Sequence, residues 1–245
     1  MCDGIGWLGD RDAGLDNVVF ARGVTPEDLA VRMGGTSGSA VELTGPDVER
    51  LLHRRGSGES GVVRVGACGD WSYAVAYLND PTRDDLAVRA SRGGVEAIQY
   101  LPMPWHPPDQ FSYFRDGSLV CAFGVREEAH RWGREPDHLL PVLVAGGVLA
   151  PDGKTHPEPE PPLGRRHLTL TTLEQHFGLC LPMASAIREP LPAYTVRGDL
   201  SLTPDPDLPA IRAWATEHGY HVDWGRSGHV PASIREAYTR ATGIA

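Results

Sequence analysis

The stretch from Gln110 to Phe123 constrains the fold of this chain more than any other. Two runs rich in aromatic and apolar residues, Gln110 to Arg115 and Ser118 to Phe123, flank the dipeptide Asp116-Gly117. A two-residue hairpin turn needs positive φ at both central positions, and Asp-Gly supplies it at low steric cost. A second pair of runs, Gly61 to Cys68 and Trp71 to Leu78, meets across Gly69-Asp70 and is rich in Val, Tyr and Trp. Tight hairpins pair their strands antiparallel. The chain is therefore expected to build a mainly antiparallel sheet, with further strands at Asn17 to Arg22, Ala40 to Leu43 and Val95 to Leu101.

Helix signals lie between these strands. Thr25-Pro26-Glu27-Asp28 starts a short helix that runs to Met33 and stops at Gly34-Gly35. Thr44-Gly45-Pro46-Asp47 starts another, carrying Val48, Leu51 and Leu52. A third is expected from about Pro81 to Ser91. Asp137 is expected to cap a helix through Ala145, and Thr171 or Thr172 to open one containing Leu173, His176 and Phe177. The Pro/Glu-rich run Gly153 to Gly164 reads as a solvated loop. From Glu189 to Pro206 the prolines and the lack of periodicity read as a tether.

After that tether the pattern changes. Asp207 is placed to cap a helix whose first turn holds Pro209. Ile211, Trp214, Ala215 and His218 then recur on one helical stripe, and Gly219 is the expected stop. A second helix opens near Pro231, with Ile234, Ala237, Tyr238 and Ala241 on one face. Trp214 and Tyr238 are large enough to close a small core between the two. The expected class is α+β: an antiparallel sheet with flanking helices over residues 1–188, a Pro-rich linker over 189–206, and a two-helix domain over 207–245.

Composition bears on function mainly through charge. The 245 residues carry a formal net charge of −9, which argues against nonspecific polyanion binding by the whole chain. The charge is uneven. From Leu208 onward, Arg212, Arg226, Arg235 and Arg240 outnumber Glu217, Asp223 and Glu236 by one. Phosphate contacts are thus electrostatically reasonable only in the tail. Lys154 is the only lysine, which points to a GC-rich coding genome. No apolar run approaches membrane-spanning length, and no secretory signal pattern opens the chain, so the expected location is the cytoplasm. Cys2, Cys68, Cys121 and Cys180 are widely spaced without a Cys-x-x-Cys, and are expected to be reduced thiols, mostly buried in strands.

The residues Ile211-Arg212, Trp214-Ala215, Gly219-Tyr220, Val222, Val230-Pro231-Ala232, Ile234 and Glu236-Ala237-Tyr238 carry a resemblance. In order and spacing they resemble the C-terminal DNA-binding domain of the actinobacterial Lsr-type nucleoid-associated proteins, the xenogeneic silencers. That resemblance implies a helical hairpin whose loop carries an Arg-Gly-Arg hook for the minor groove of AT-rich DNA. This chain departs from the pattern. The hook positions read Ser227-Gly228-His229, the loop is two residues longer, and Arg226 stands one step earlier. The DNA-binding residues implied are Gly225, Arg226, Ser227, Gly228 and His229, with Arg212, Arg235 and Arg240 as phosphate contacts. Nucleoid association, and a role in silencing or defence, are what the resemblance further implies.

Residues 5 to about 185 resemble an actinobacterial family known only as a domain of unknown function. The match rests on Trp7-Leu8, Phe20 to Gly23 with Thr25-Pro26, Gly69-Asp70-Trp71, Phe111-Ser112-Tyr113 with Asp116-Gly117, Phe123, and Arg131-Trp132-Gly133. It implies no chemistry.

Other residue patterns carry less chemistry. His130, His138, His156 and His167 form no i, i+4 pair with a carboxylate base, and no cysteine joins them at zinc spacing. They are expected to be surface or capping histidines, with no metal and no cofactor. Asp152 to Thr155 contains Gly-Lys-Thr but lacks the upstream glycine of a P-loop and precedes a proline run. Gly34, Gly35 and Gly38 fit a turn as well as a phosphate cradle. Trp71, Tyr73, Tyr77, Tyr100, Trp105, Phe111, Tyr113 and Phe114 alternate as sheet residues do and read as core. No catalytic constellation is present, so the chain is not expected to be an enzyme. The leading expectation is a DNA-associated regulatory or defence protein, with a possible protein partner for the first domain. The alternative is a protein-binding module whose tail docks on protein and not on DNA.

Overall fold

The computed structural model describes residues 3–9, 15, 17–55, 61–78, 85–103, 107–198, 208–220 and 232–242. The strands are β1 (Val18–Arg22), β2 (Val41–Leu43), β3 (Gly61–Cys68), β4 (Trp71–Leu78), β5 (Glu96–Leu101), β6 (Gln110–Arg115), β7 (Ser118–Gly124), β8 (Arg131–Trp132) and β9 (Leu191–Arg197). They form one nine-stranded sheet in the order β2-β9-β3-β4-β1-β5-β6-β7-β8. Every neighbouring pair is antiparallel. The helices are α1 (Pro26–Met33), α2 (Gly45–Arg55), α3 (Leu86–Ala90), α4 (Leu140–Ala145), α5 (Gly164–Phe177), α6 (Met183–Ile187), α7 (Leu208–Glu217) and α8 (Ala232–Thr242). A 3-10 turn at Gly6–Gly9 precedes them all.

The expected hairpins are present. Asp116 and Gly117 take φ of 50° and 72°, as the turn requires. Strand alternation then divides the side chains between two cores. On β4, Trp71, Tyr73, Val75 and Tyr77 face the larger core, which α5, α4, α6 and the 3-10 turn help to fill. Ala74, Ala76 and Leu78 face the other way. Ala21 and Ala97 share that second face, and small side chains there let α1 and α3 pack close to the sheet through Leu29, Ala30, Met33, Leu86 and Ala87. Thr25 caps α1 by accepting the Asp28 N–H at 3.1 Å, and Gly34 ends it in the left-handed region. The core aromatics among the described residues are buried as their alternation implied; Trp105 lies outside them.

Arg64 on β3 is the largest polar exception. It is fully buried, and each of its five N–H donors has an acceptor. Nε donates to Leu43 O at 3.0 Å, Nη1 to the Tyr77 hydroxyl and Ala186 O at 2.8 Å each, and Nη2 to Ser185 O at 2.9 Å and Glu189 O at 2.6 Å. Two of those carbonyls belong to the last turn of α6, where a cation is favoured. One side chain thus ties β2, β4, α6 and the approach to β9 together.

Several expectations need correction. The segment 189–206 is not wholly a linker, because Leu191–Arg197 forms β9 between β2 and β3. Pro192 stands opposite Glu42 of β2, one residue before the pairing with β3 begins at Ala193. The first structural unit therefore extends through Arg197. Helix α5 starts at Gly164, well before Thr171: Thr169 and Thr172 lie buried on the helix and break the apolar period that would have marked it. Asp137 does not cap α4. Its Oδ1 accepts from Arg131 Nε at 3.0 Å and Nη2 at 2.8 Å, and α4 begins at Leu140. The third helix is described only over Leu86–Ala90. Nor are all the cysteines thiols. Cys68 and Cys180 form a disulfide, because the chain leaving α5 packs against the end of the β3–β4 hairpin. Cys121 is a buried free thiol, and Cys2 lies outside the described residues.

Candidate nucleic-acid interface

The tail forms the expected helical hairpin. Ile211 and Ala215 on α7 pack against Ile234 and Tyr238 on α8, and all four are buried. Trp214 is only half-buried at the margin of this core. Its ring meets Tyr238 edge-on at 5.8 Å and stacks on His218 at 4.4 Å and Tyr220 at 5.6 Å. The chain stops at Gly219 with φ of 73°, where Tyr220 N donates to Ala215 O at 2.9 Å and Gly219 N to Thr216 O at 3.2 Å. That is the paired bonding of a Schellman cap. The core stripe is narrower than its periodicity implied. His218 and Ala241 are exposed, and the His218 Nδ1–H donates to Trp214 O at 2.8 Å.

The hook residues Gly225, Arg226, Ser227, Gly228 and His229 lie outside the described residues, as do Val222, Val230 and Pro231. The helix-borne arginines are described. Arg212 and Arg235 are half-buried beside the core residues Ile211 and Ile234. Arg240 is exposed, with Nε donating to Glu236 O at 3.3 Å. Five residues at ~100° each put Arg235 and Arg240 about 140° apart around α8. A single flat contact with a duplex therefore engages one of them, not both.

In the first domain the structure brings together Arg22, Trp71 and Tyr113 from three of the motifs that carried the family resemblance. The Arg22 guanidinium lies over the Trp71 ring at 5.2 Å and pairs with Glu96 at 3.2 Å. The Tyr113 hydroxyl donates to Glu96 at 2.9 Å, while burial, reinforced by that carboxylate, pushes its pKa up to about 12. His138 stacks on Tyr113 at 5.3 Å, and Phe177 packs on both Tyr113 and Trp71. The Trp71 Nε1–H donates to Phe177 O at 2.9 Å. His176 beside them is held below its ordinary pKa by burial, then by the nearby His138 and Arg22. Sequence reasoning did not place Glu96, His138 and His176 here, because they come from three separate elements.

The remaining sequence candidates resolve into turns. The Gly38 N–H donates to Glu27 at 2.8 Å, so an acidic side chain fills the position where a phosphate cradle would hold an anion. Asp152 accepts from Lys154 N and Thr155 N at 2.9 Å each, closing a tight turn, and these backbone and hydroxyl donors hold its carboxyl below the usual range. Burial pushes the Cys121 thiol up to about 12, which removes it as a nucleophile. Among the described residues no helix is long and apolar enough to cross a membrane, and no group of three or more His, Cys, Asp or Glu side chains converges to hold a metal.

The architecture is that of an antiparallel α+β protein with a small helical hairpin at its C-terminal side. The model of the Family of unknown function (DUF6461) matches residues 17–172, and that of the Lsr2 DNA-binding domain matches residues 203–241. The chain belongs to the DUF6461 family, and its tail matches the Lsr2 DNA-binding domain. A search of curated proteins and a search of solved structures each found no match.

Proposed function

We propose that this chain is a DNA-associated regulatory or defence protein. Its hairpin binds AT-rich duplex in the minor groove through the loop carrying Arg226. The match of residues 203–241 to the Lsr2 DNA-binding domain carries this reading. The closed hairpin core and the local excess of arginine support it. Narrow AT tracts concentrate negative potential, so one inserted arginine is favoured there without reading individual bases. His229 at the second hook position replaces the five donors and permanent charge of a guanidinium with an imidazole, so affinity is lower than a two-arginine hook provides. In a GC-rich genome such tracts mark acquired DNA, and association with the nucleoid follows from their recognition.

The test is a fluorescence-anisotropy titration of the full chain with AT-rich and GC-rich duplexes at two salt concentrations. Wild type should prefer the AT-rich duplex and weaken steeply with salt. Arg226→Ala should remove most of the preference. Salt-insensitive or absent binding would sink the proposal and leave a tail that docks on protein.

A further inference from the structure

Tyr220 closes the cap of α7 and is the last described residue before the loop that carries Arg226. It is 40% exposed, yet it is held in place. Its N–H donates to Ala215 O at 2.9 Å, and its ring stacks on Trp214 at 5.6 Å with 29° between the planes. Trp214 stacks in turn on His218 at 4.4 Å and meets Tyr238 of the hairpin core edge-on. One intervening ring thus braces the phenol against the core.

The fold uses the ring of Tyr220 and leaves its tip unspent. Among the described residues the Tyr220 hydroxyl makes no hydrogen bond. Buried phenols of the first domain differ. The Tyr77 hydroxyl accepts from Arg64 at 2.8 Å, and those of Tyr100 and Tyr113 donate to Asp109 at 2.8 Å and to Glu96 at 2.9 Å. A phenylalanine at 220 would stack on Trp214 equally well, so packing accounts for the ring and not for the hydroxyl. A tyrosine presented in this way offers rigid contact area with a polar tip, as at many interfaces. Because the ring is already held, a contact at the hydroxyl costs little further side-chain ordering.

The surroundings favour one kind of acceptor. From Leu208 onward arginines outnumber carboxylates, so phosphates are drawn to this end of the chain. Phosphate oxygens accept from neutral side-chain donors, tyrosine among them, and such contacts set how a protein sits on a duplex without reading its bases.

We propose that Tyr220, braced by Trp214 and His218, is a DNA-backbone contact whose hydroxyl donates to a phosphate oxygen beside the groove. This rests on the reading of the tail as a duplex-binding unit. Arg226 then supplies the preference for AT tracts, and Tyr220 fixes the orientation of the hairpin on them.

Fluorescence anisotropy of the full chain with AT-rich and GC-rich duplexes, each at two salt concentrations, tests this. Tyr220→Phe keeps the ring and removes only the hydroxyl. It should weaken binding to both duplexes by the same factor, about threefold to tenfold, as expected for one hydrogen bond. The salt slope should stay at the wild-type value, because a neutral donor displaces no counterion. Trp132→Phe, at the exposed tryptophan of β8, should bind as wild type does. Far-UV circular dichroism checks that the variants are folded. Wild type that binds neither duplex would overturn the DNA reading and this contact with it. Wild type that binds, with Tyr220→Phe equal to it, overturns the contact alone. A loss confined to one duplex, a changed salt slope, or an equal loss in Trp132→Phe also overturns it.

Discussion

Cys68 and Cys180, separated by 112 residues in the chain, are joined by a disulfide that ties the end of β3 to the turn after α5. Trp71, directly opposite Cys68 in the hairpin, bonds through its indole N–H to Phe177 O. The covalent link and the hydrogen bond hold the same two segments together. Closing a loop of this size restricts the unfolded chain by about 4–5 kcal/mol on the entropic model. Dithiothreitol should therefore lower the Tm of wild type, and Cys68→Ser should lower it to a similar value that the reductant no longer changes. Thiol counting in denaturant gives an independent reading. Four free thiols before any reduction, with no Tm response, would show that the bond does not form.

Strand β9 places the end of the first structural unit beyond the expected boundary. A chain ending at Arg188 loses buried Ala193, Tyr194 and Val196, leaves β2 without its sheet partner, and removes Glu189 O from Arg64. A chain ending at Gly198 keeps all of these. The longer piece should unfold cooperatively by circular dichroism and the shorter should not. Equal Tm values for the two would show that β9 is dispensable.

His176 gives the acid side of the stability profile a definite sign. Its folded pKa lies below the ordinary 6.5, because burial and the nearby His138 and Arg22 oppose a further cation. The folded state then binds this proton less readily than the unfolded state. The stability contribution is full above pH 6.5 and is lost as pH falls through the lower folded value. Tm measured at several pH values below 7 should fall less steeply in His176→Asn than in wild type. Identical slopes would place the acid sensitivity elsewhere.

The two arginines of α8 should behave unequally. Because Arg235 and Arg240 sit about 140° apart around the helix, one approach to a duplex reaches only one of them. Alanine at the contacting position should lower the salt slope of binding by about one unit, with AT-rich and GC-rich duplexes affected alike. Alanine at the other should leave the slope unchanged. Equal loss at both would require α8 to lie in a groove with phosphates on either side.

Features whose causes are contiguous in the chain were legible before any packing was known. Asp116-Gly117 turns the β6–β7 hairpin because its two φ angles are local properties, and Thr25 and Gly34 bound α1 for the same reason. The tail helices were legible because Ile211, Ala215, Ile234 and Tyr238 recur at helical spacing and Gly219 supplies the stop. Tertiary structure alone decided the rest. Leu191–Arg197 has prolines nearby and no clear period, and becomes a strand because β2 and β3 offer it hydrogen bonds on both sides. Helix α5 begins at Gly164 although threonines interrupt its stripe, because Thr169 finds Glu128 and the Arg165 carbonyl as partners. Arg64 looks like any surface arginine until five acceptors, four of them main-chain carbonyls, surround it. The Cys68–Cys180 bond and the facing of Glu128 by His156 depend in the same way on distant segments meeting. Local backbone preference is written in neighbouring residues; a buried polar group's partner is chosen by the packing of the whole fold.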